Sequence, residues 1–164
     1  ADNICPVVDF DYCFIWEDMA YKTAPLVSPN IFKEFMLPYL KEFTKYLREK
    51  HQIKFFCVDS DGNNFPVLDL FIESGVNMFL PCEIAAGMEP LEIRKKYPEL
   101  VLYGGIDKRE LMKGKESTRR ELDRKVPHLI EQGGYFPSLD HHVPPDLTFD
   151  NFCYYLEYLR ELVK

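Results

Sequence analysis

The stretch Phe55-Phe56-Cys57-Val58-Asp59-Ser60-Asp61-Gly62-Asn63-Asn64 (FFCVDSDGNN, residues 55–64) decides how the chain is read. Its first four residues, led in by Ile53 and Lys54, form an apolar run of the length and composition of a buried strand. The chain then turns abruptly polar, with two acids one residue apart and a glycine. A surface turn has that composition. So does the mouth of a site at the end of a strand. The other strand ends separate the two readings.

Working outward, Tyr12 to Trp16 is a short apolar strand. Ser28 and Pro29 open a long helix as N-cap and first-turn residue. Phe32, Phe35, Met36, Tyr39, Leu40, Phe43, Tyr46 and Leu47 recur along it at helical spacing, and Pro38 predicts a kink. A helix from Phe65 to Ser74 follows residues 53–58 and is stopped by Gly75. Val76 to Leu80 is a third strand. Pro90 begins a short helix ending near Tyr97-Pro98, and Leu100 to Tyr103 is a fourth strand. Residues 107–132 read as helix in two pieces broken near Gly114, ended by Gly133-Gly134. Tyr135 to Pro137 is a fifth strand. Thr148 caps a last helix over 149–163, with Phe152, Tyr155, Leu156 and Leu159 on one face.

Strands alternating with helices predict an α/β fold with a parallel sheet. No GxGxxG follows any strand, so a dinucleotide-binding doubly wound sheet has no support. The alternative closure, a (β/α)8 TIM barrel, needs roughly 200 residues or more. Five β/α units in 164 residues therefore read as about half of such a barrel, one domain over 1–164.

Bulk composition narrows the function classes. Hydrophobic residues make up 46% of the chain, which is the content of a globular protein. A net charge of −7 and a pI near 5.1 argue against nucleic acid as a partner, because phosphate binding needs a basic surface. No stretch approaches the ~18 uninterrupted apolar residues of a membrane span, and no signal-like leader is visible at Ala1. Cys5, Cys13, Cys57, Cys82 and Cys153 are odd in number and lack a CxxC pair. They read as reduced, mostly buried thiols of a cytoplasmic protein, and a zinc ribbon is excluded by spacing.

Each strand ends in an acid or an imidazole. Glu17, Asp18 and Tyr21 follow the first; Asp59 and Asp61 the second; Cys82 and Glu83 the third. Asp107 follows the fourth, behind Gly104-Gly105, and Asp140, His141 and His142 follow the fifth. In a parallel α/β sheet such positions share the rim that binds ligands. Local roles compete with this. Asp107 suits a helix cap, Asp61-Gly62 a turn, and Asp140 the orientation of a histidine. Cys82 reads as core, Met19, Met78 and Met88 as packing, and adjacent histidines on an extended segment cannot both face one way. No serine or cysteine nucleophile pattern is present. The residue types leave two chemistries: a divalent metal held by carboxylates and imidazole, or acid/base work on an ionisable substrate. Asp59, Asp61 and His141 would supply three metal ligands with an open position. Asp18, Glu83 and His141 are the catalytic candidates, with Glu17, Tyr21, Asp107 and His142 around the substrate.

Four segments carry a family resemblance. LVSPNIFKEFMLPYLKEF (26–43), VDSDGN (58–63), LYGGIDKREL (102–111) and GGYFPSLDHHVPPDLTFDNFCYYLEYL (133–159) resemble, in order, motifs of the uroporphyrinogen decarboxylase family, which includes the corrinoid-dependent methyltransferases. The resemblance implies a (β/α)8 barrel of roughly twice this length. This chain is then the C-terminal half, from about the fourth or fifth strand. In the decarboxylases a histidine after the last strand helps hold the porphyrinogen, and His141 matches it. Their substrate-holding arginines and catalytic aspartate lie in the other half, and Asp18 replaces a small hydroxyl residue. In the methyltransferases a His-x-Cys pair and a later Cys hold zinc, and Asp59, Asp61 and His141 stand at those positions. Such oxygen and nitrogen donors form a harder site than thiolates do, suited to O-methyl or N-methyl substrates. Glu83 becomes a fourth ligand or a substrate contact.

The resemblance thus implies metal-assisted methyl transfer, with zinc or another divalent metal, between a small methylated compound and a corrinoid carried by a partner protein. Two alternatives stand beside it. One is a uroporphyrinogen decarboxylase acting on a tetrapyrrole. The other is an inactive half barrel or subunit that covers its exposed sheet edges with the N-terminal half or with itself.

Overall fold

The computed structural model describes all residues, Ala1 to Lys164, and the chain forms two compact units, Ala1–Leu80 and Pro81–Lys164. The first holds β1 (Tyr12–Trp16), α1 (Pro29–Phe35), α2 (Leu37–His51), β2 (Phe55–Asp59), α3 (Phe65–Glu73) and β3 (Met78–Leu80). Its strands are parallel and follow chain order: β1 pairs with β2 and β2 with β3, with Trp16 opposite Asp59 and Asp59 opposite Leu80. Neighbours in space that are neighbours in sequence, with helical crossovers, give the progression of a barrel rather than a sheet with a reversal of strand order.

β2 is the central strand of this unit. Phe56, Cys57 and Val58 are buried, and burial with Asp59 and Cys13 nearby pushes the Cys57 thiol up to about 12. α3 covers the strands with Val67, Leu68, Leu70 and Phe71, and Phe71 meets Phe32 of α1 edge-on at 4.9 Å between ring centres. Leu47 and Ile53 pack on Phe56, with Cys5 and Cys13 against them. On the other face of edge strand β1, Tyr12, Phe14 and Trp16 are 53%, 50% and 75% exposed.

The expected long helix is two. Ser28 caps α1 through the Ile31 N–H, and the break falls at Met36, two residues before Pro38. Pro38 lacks an N–H and suits the first turn of a new helix. The break resets the helical phase. α2 buries Leu37, Thr44 and Leu47, and Phe35, Tyr39 and Phe43 of the predicted apolar face lie exposed. β1 has the expected bounds, whereas β2 starts two residues later than the apolar run and β3 covers only the last three residues of the run Val76 to Leu80. Asn77 lies outside β3, and its side chain takes the Phe56 N–H at 2.8 Å and donates to the Lys54 carbonyl.

The second unit holds α4 (Pro90–Lys96), β4 (Val101–Tyr103), α5 (Lys108–Met112), α6 (Lys115–Gln132), β5 (Tyr135–Phe136) and α7 (Phe149–Leu162), with a 3-10 turn at Ile84–Ala86 that the sequence pattern does not announce. β4 and β5 are parallel, with Leu102 opposite Tyr135. Gly114 separates α5 from α6 as expected, and α6 runs on through Pro127. Thr148 caps α7, whose one fully buried side chain is Tyr155. None of the five cysteines forms a disulfide; Cys57 and Cys82 are buried, and Cys5, Cys13 and Cys153 are half-buried. No helix is long and apolar enough to cross a membrane. The architecture is α/β, with parallel strands and helical crossovers forming part of a TIM-barrel-like domain.

Candidate functional site

In the first unit the loops after β1 and β2 are laced together by backbone bonds. Glu17 N–H donates to the Asp59 carbonyl at 2.9 Å, continuing the ladder past Trp16. The Asp61 N–H donates to Asp18 Oδ1 at 3.0 Å, and the Asn63 N–H to the Tyr21 carbonyl at 2.9 Å. Gly62 closes the turn at φ 78°, where a Cβ would stand 2.6 Å from the carbonyl oxygens of Ala20 and Tyr21. Only glycine permits that approach in that conformation. Asn64, fully buried, gathers the loop from inside: its amide donates to the carbonyls of Ser60, Asp61 and Gly62, and its oxygen accepts the Ser60 hydroxyl.

Four carboxylates crowd this rim, Glu17, Asp18, Asp59 and Asp61, with different surroundings. Asp18 is exposed and takes the backbone N–H of Asp61. Asp59 and Asp61 are half-buried. Glu17 is half-buried as well, and burial raises its pKa above the ordinary glutamate range. A carboxyl whose pKa is raised is better suited to general acid work than an ordinary glutamate. Tyr21 is exposed and offers its carbonyl to the loop. The unit's one arginine, Arg48, donates to the Gly75 carbonyl, far in sequence from the loops just described.

In the second unit the fully buried Asp140 joins three loops. Its Oδ2 accepts the Ile84 N–H at 3.1 Å; its Oδ1 accepts the Lys108 N–H at 3.2 Å and the Lys108 ammonium at 3.1 Å. Its own N–H donates to the Ile106 carbonyl. Asp140 therefore meets a lysine and two backbone groups, not a histidine ring. The chain reaches Ile84 through Cys82, buried with φ 56°, a left-handed conformation uncommon outside glycine. Glu83, half-buried, precedes the 3-10 turn, and its carbonyl accepts Ala86 and Met88. His141 is half-buried and His142 exposed, their rings edge-to-face at 4.6 Å.

Asp107 is buried and acts as a cap. It takes the Arg109 N–H at 2.9 Å and the Arg109 guanidinium with both oxygens. Burial alone would raise its pKa, and the bonds from Arg109 outweigh this and hold it below the usual aspartate range. Behind it the fully buried Lys125 pairs with Glu121, donates to the Gly105 carbonyl at 2.7 Å and stands 3.4 Å from Glu89.

No group of three or more His, Cys, Asp or Glu side chains is placed to hold a metal ion. Of the expected ligands, Asp59 and Asp61 lie in the first unit and His141 in the second. Within its own unit, the carboxylate beside Asp61, Asp18, is turned to a backbone N–H. Sequence reasoning passed over Ser60, Asn64 and Lys108. The run of turn-forming residues at 61–64 was the available signal for Asn64, and nothing local marks Lys108.

The comparisons with known proteins agree with this arrangement of strands and loops. Residues 13–162 match the family model described as uroporphyrinogen decarboxylase (URO-D). A curated uroporphyrinogen decarboxylase from Hydrogenobaculum sp. (strain Y04AAS1) is 23% identical, over 83% of this chain and 38% of its own length. The chain thus spans well under half of that relative. With the match running from the first strand through the last helix, the chain belongs to the uroporphyrinogen decarboxylase family.

Proposed function

We propose that this chain supplies part of the strand-end rim of an enzyme that transfers a methyl group between a small O-methyl or N-methyl compound and a corrinoid carried by a partner protein. The observation that carries the reading is the half-buried Glu17, its proton affinity raised by burial, on a rim shared with Asp18, Asp59 and Asp61. Loss of a methyl group leaves an oxygen or nitrogen that needs a proton, and Glu17, whose pKa burial raises, is the acid of this rim best suited to give it. The corrinoid, when bound by its partner, supplies the methyl-accepting centre. Metal assistance, which the family resemblance suggests, enters no step.

Decarboxylation of a tetrapyrrole is the competing reading, and the printed name of the Hydrogenobaculum relative favours it. An acidic rim opposes it, because a substrate bearing many carboxylates would be repelled there. The placed arginines Arg48, Arg94, Arg109 and Arg124 are engaged by the chain's own carbonyls and carboxylates.

The test presents the full chain with reduced cobalamin and a panel of methyl ethers and methylamines, and in parallel with uroporphyrinogen. Methyl-cobalamin formation that falls at least tenfold in Glu17→Gln supports the reading. Carbon dioxide release from uroporphyrinogen without methyl transfer overturns it.

A further inference from the structure

Three of the five cysteines belong to the first unit, and two of them share one patch of its core. Cys5 and Cys13, both half-buried, pack against Leu47, Ile53 and Phe56. The register of β1 on β2 puts Cys13 opposite Phe56, on the face that this cluster covers. Cys57, one residue along, points to the other face and is 1% exposed. The thiol that shares a face with Cys13 is therefore Cys5. The two act on each other: burial first, and the Cys5 thiol second, raise the pKa of Cys13.

Contacts around Cys5 fix its place. The Ala1 carbonyl accepts the N–H groups of Ile4 and Cys5 at 3.0 and 2.9 Å, which closes a turn. Asp2 in that turn meets the end of α2, with the Lys50 ammonium at 2.9 Å, His51 Nε2 at 2.8 Å and the Tyr46 hydroxyl as partners. These contacts pin the turn to α2, and Leu47 of the same helix belongs to the cluster beneath Cys5. Seven residues separate the two cysteines. Those from Val7 to Asp11 are exposed and belong to no strand or helix, so a bond closed across them disturbs no ladder. Much of the entropy of bringing the sulfurs together is spent in folding, which raises the effective concentration of one thiol at the other.

We propose that Cys5 and Cys13, positioned by Asp2, are a thiol pair that a small-molecule disulfide oxidises to an internal disulfide, stapling the N-terminal turn to β1. The Cys5 thiol gives its proton to solvent, and its sulfur attacks one sulfur of the oxidant, whose S–S bond breaks and releases a thiolate. Deprotonated Cys13 then attacks the Cys5 sulfur of this mixed disulfide and expels the second thiolate. Both thiolates take up protons, matching the two that the protein lost. The chain is oxidised by two electrons and the oxidant is reduced by two. Cys13 acts second, because burial favours its thiol form.

The experiment incubates the reduced full chain with glutathione disulfide and reads intact mass and an unreduced tryptic map. The parent is expected to lose two hydrogens, and the loss to fall in the peptide Ala1–Lys22, whose cysteines are Cys5 and Cys13. Its urea midpoint is expected to rise on oxidation and to return when dithiothreitol is added. Cys13→Ser is expected to stop at a mixed disulfide on Cys5, and Asp2→Ala to close more slowly than the parent by about threefold or more. A parent that stays reduced, that halts at the mixed disulfide or that joins either thiol to Cys57 overturns the inference. Closure in Asp2→Ala as fast as in the parent overturns the positioning by Asp2.

Discussion

Asp18 Oδ1 accepts the backbone N–H of Asp61 at 3.0 Å and so fixes the loop after β1 to the loop after β2. The residue that looks in sequence like a free catalytic acid is the one that positions its neighbour. The same pattern recurs in the second unit, where Asp140 positions Lys108. Within each unit, acids at the strand ends tie neighbouring loops together.

Gly62→Ala tests how tightly the first pair of loops is closed. The substitution places a Cβ at φ 78° and 2.6 Å from two carbonyl oxygens that belong to backbone and cannot swing aside. Strain and displacement together are expected to cost about 2 kcal/mol or more. Urea denaturation should show the midpoint falling with m unchanged. A variant as stable as the parent would mean that the loops do not meet this way.

Asn64→Ala removes a buried amide that serves three carbonyls and the Ser60 hydroxyl. Leaving such groups unmatched costs about 1–3 kcal/mol. Asn64→Asp keeps the acceptor for Ser60 and loses the donors, and is expected to be no better than alanine. Hydrogen exchange at residues 60–64 should accelerate in both variants. If exchange stays slow in Asn64→Ala, the clamp is not what orders this loop.

The strand ends were legible in sequence because an apolar run must stop somewhere, and at these stops Asp59 and Asp107 replace a hydrophobe. Caps at Ser28, Asp107 and Thr148 were legible for the same local reason: each side chain meets an N–H two or three residues away. What could not be read is what depends on distant loops. Asp140 finds Ile84 and Lys108, 56 and 32 residues away, so its role is set by packing and not by its neighbour His141. Periodicity misled over residues 32–47, because the break at Met36 turns Phe35, Tyr39 and Phe43 out of the face that a continuous helix would bury.

Zinc titration separates local geometry from family resemblance. Within neither unit are three donor side chains grouped to hold a metal. Added zinc at micromolar concentration is therefore expected to leave the Tm of the full chain unchanged, and Asp59→Ala and His141→Ala to bind as little metal as the parent. Binding to the native state raises stability by mass action, so a rise of several degrees that is lost in both variants would identify Asp59 and His141 as ligands.

Lys125 tests the buried charges behind β4. Its ammonium is fully enclosed with Glu121, the Gly105 carbonyl and Glu89, and Glu89 Oε1 is itself buried without a partner. Lys125→Met leaves the buried Glu121 with the half-exposed Arg124 as its remaining cation partner and is expected to cost roughly 1–3 kcal/mol. Adding Glu121→Gln to that variant should recover part of the loss, giving a coupling of about 1 kcal/mol or more in a double-mutant cycle. Strict additivity would show that the two charges do not depend on each other.

The Asp107–Arg109 pair predicts how stability changes in acid. The folded-state pKa of Asp107 lies below its unfolded value, because bonds from Arg109 outweigh the opposing effect of burial. A depressed carboxylate pKa contributes stability above the unfolded value near ~3.9, and that contribution disappears as pH falls through the folded value. Glu17 works in the opposite sense. Its pKa is raised by burial, so its ionisation lowers stability as pH rises above about 4.3. Arg109 is half exposed, which limits its pairing with Asp107 to about 1 kcal/mol or less. Urea midpoints measured between pH 3 and pH 7 should therefore fall less steeply on the acid side in Arg109→Met than in the parent, and Glu17→Gln should gain relative stability toward neutral pH. Parallel curves for Arg109→Met and the parent would show that Asp107 is held ionised by its backbone bond and not by the guanidinium.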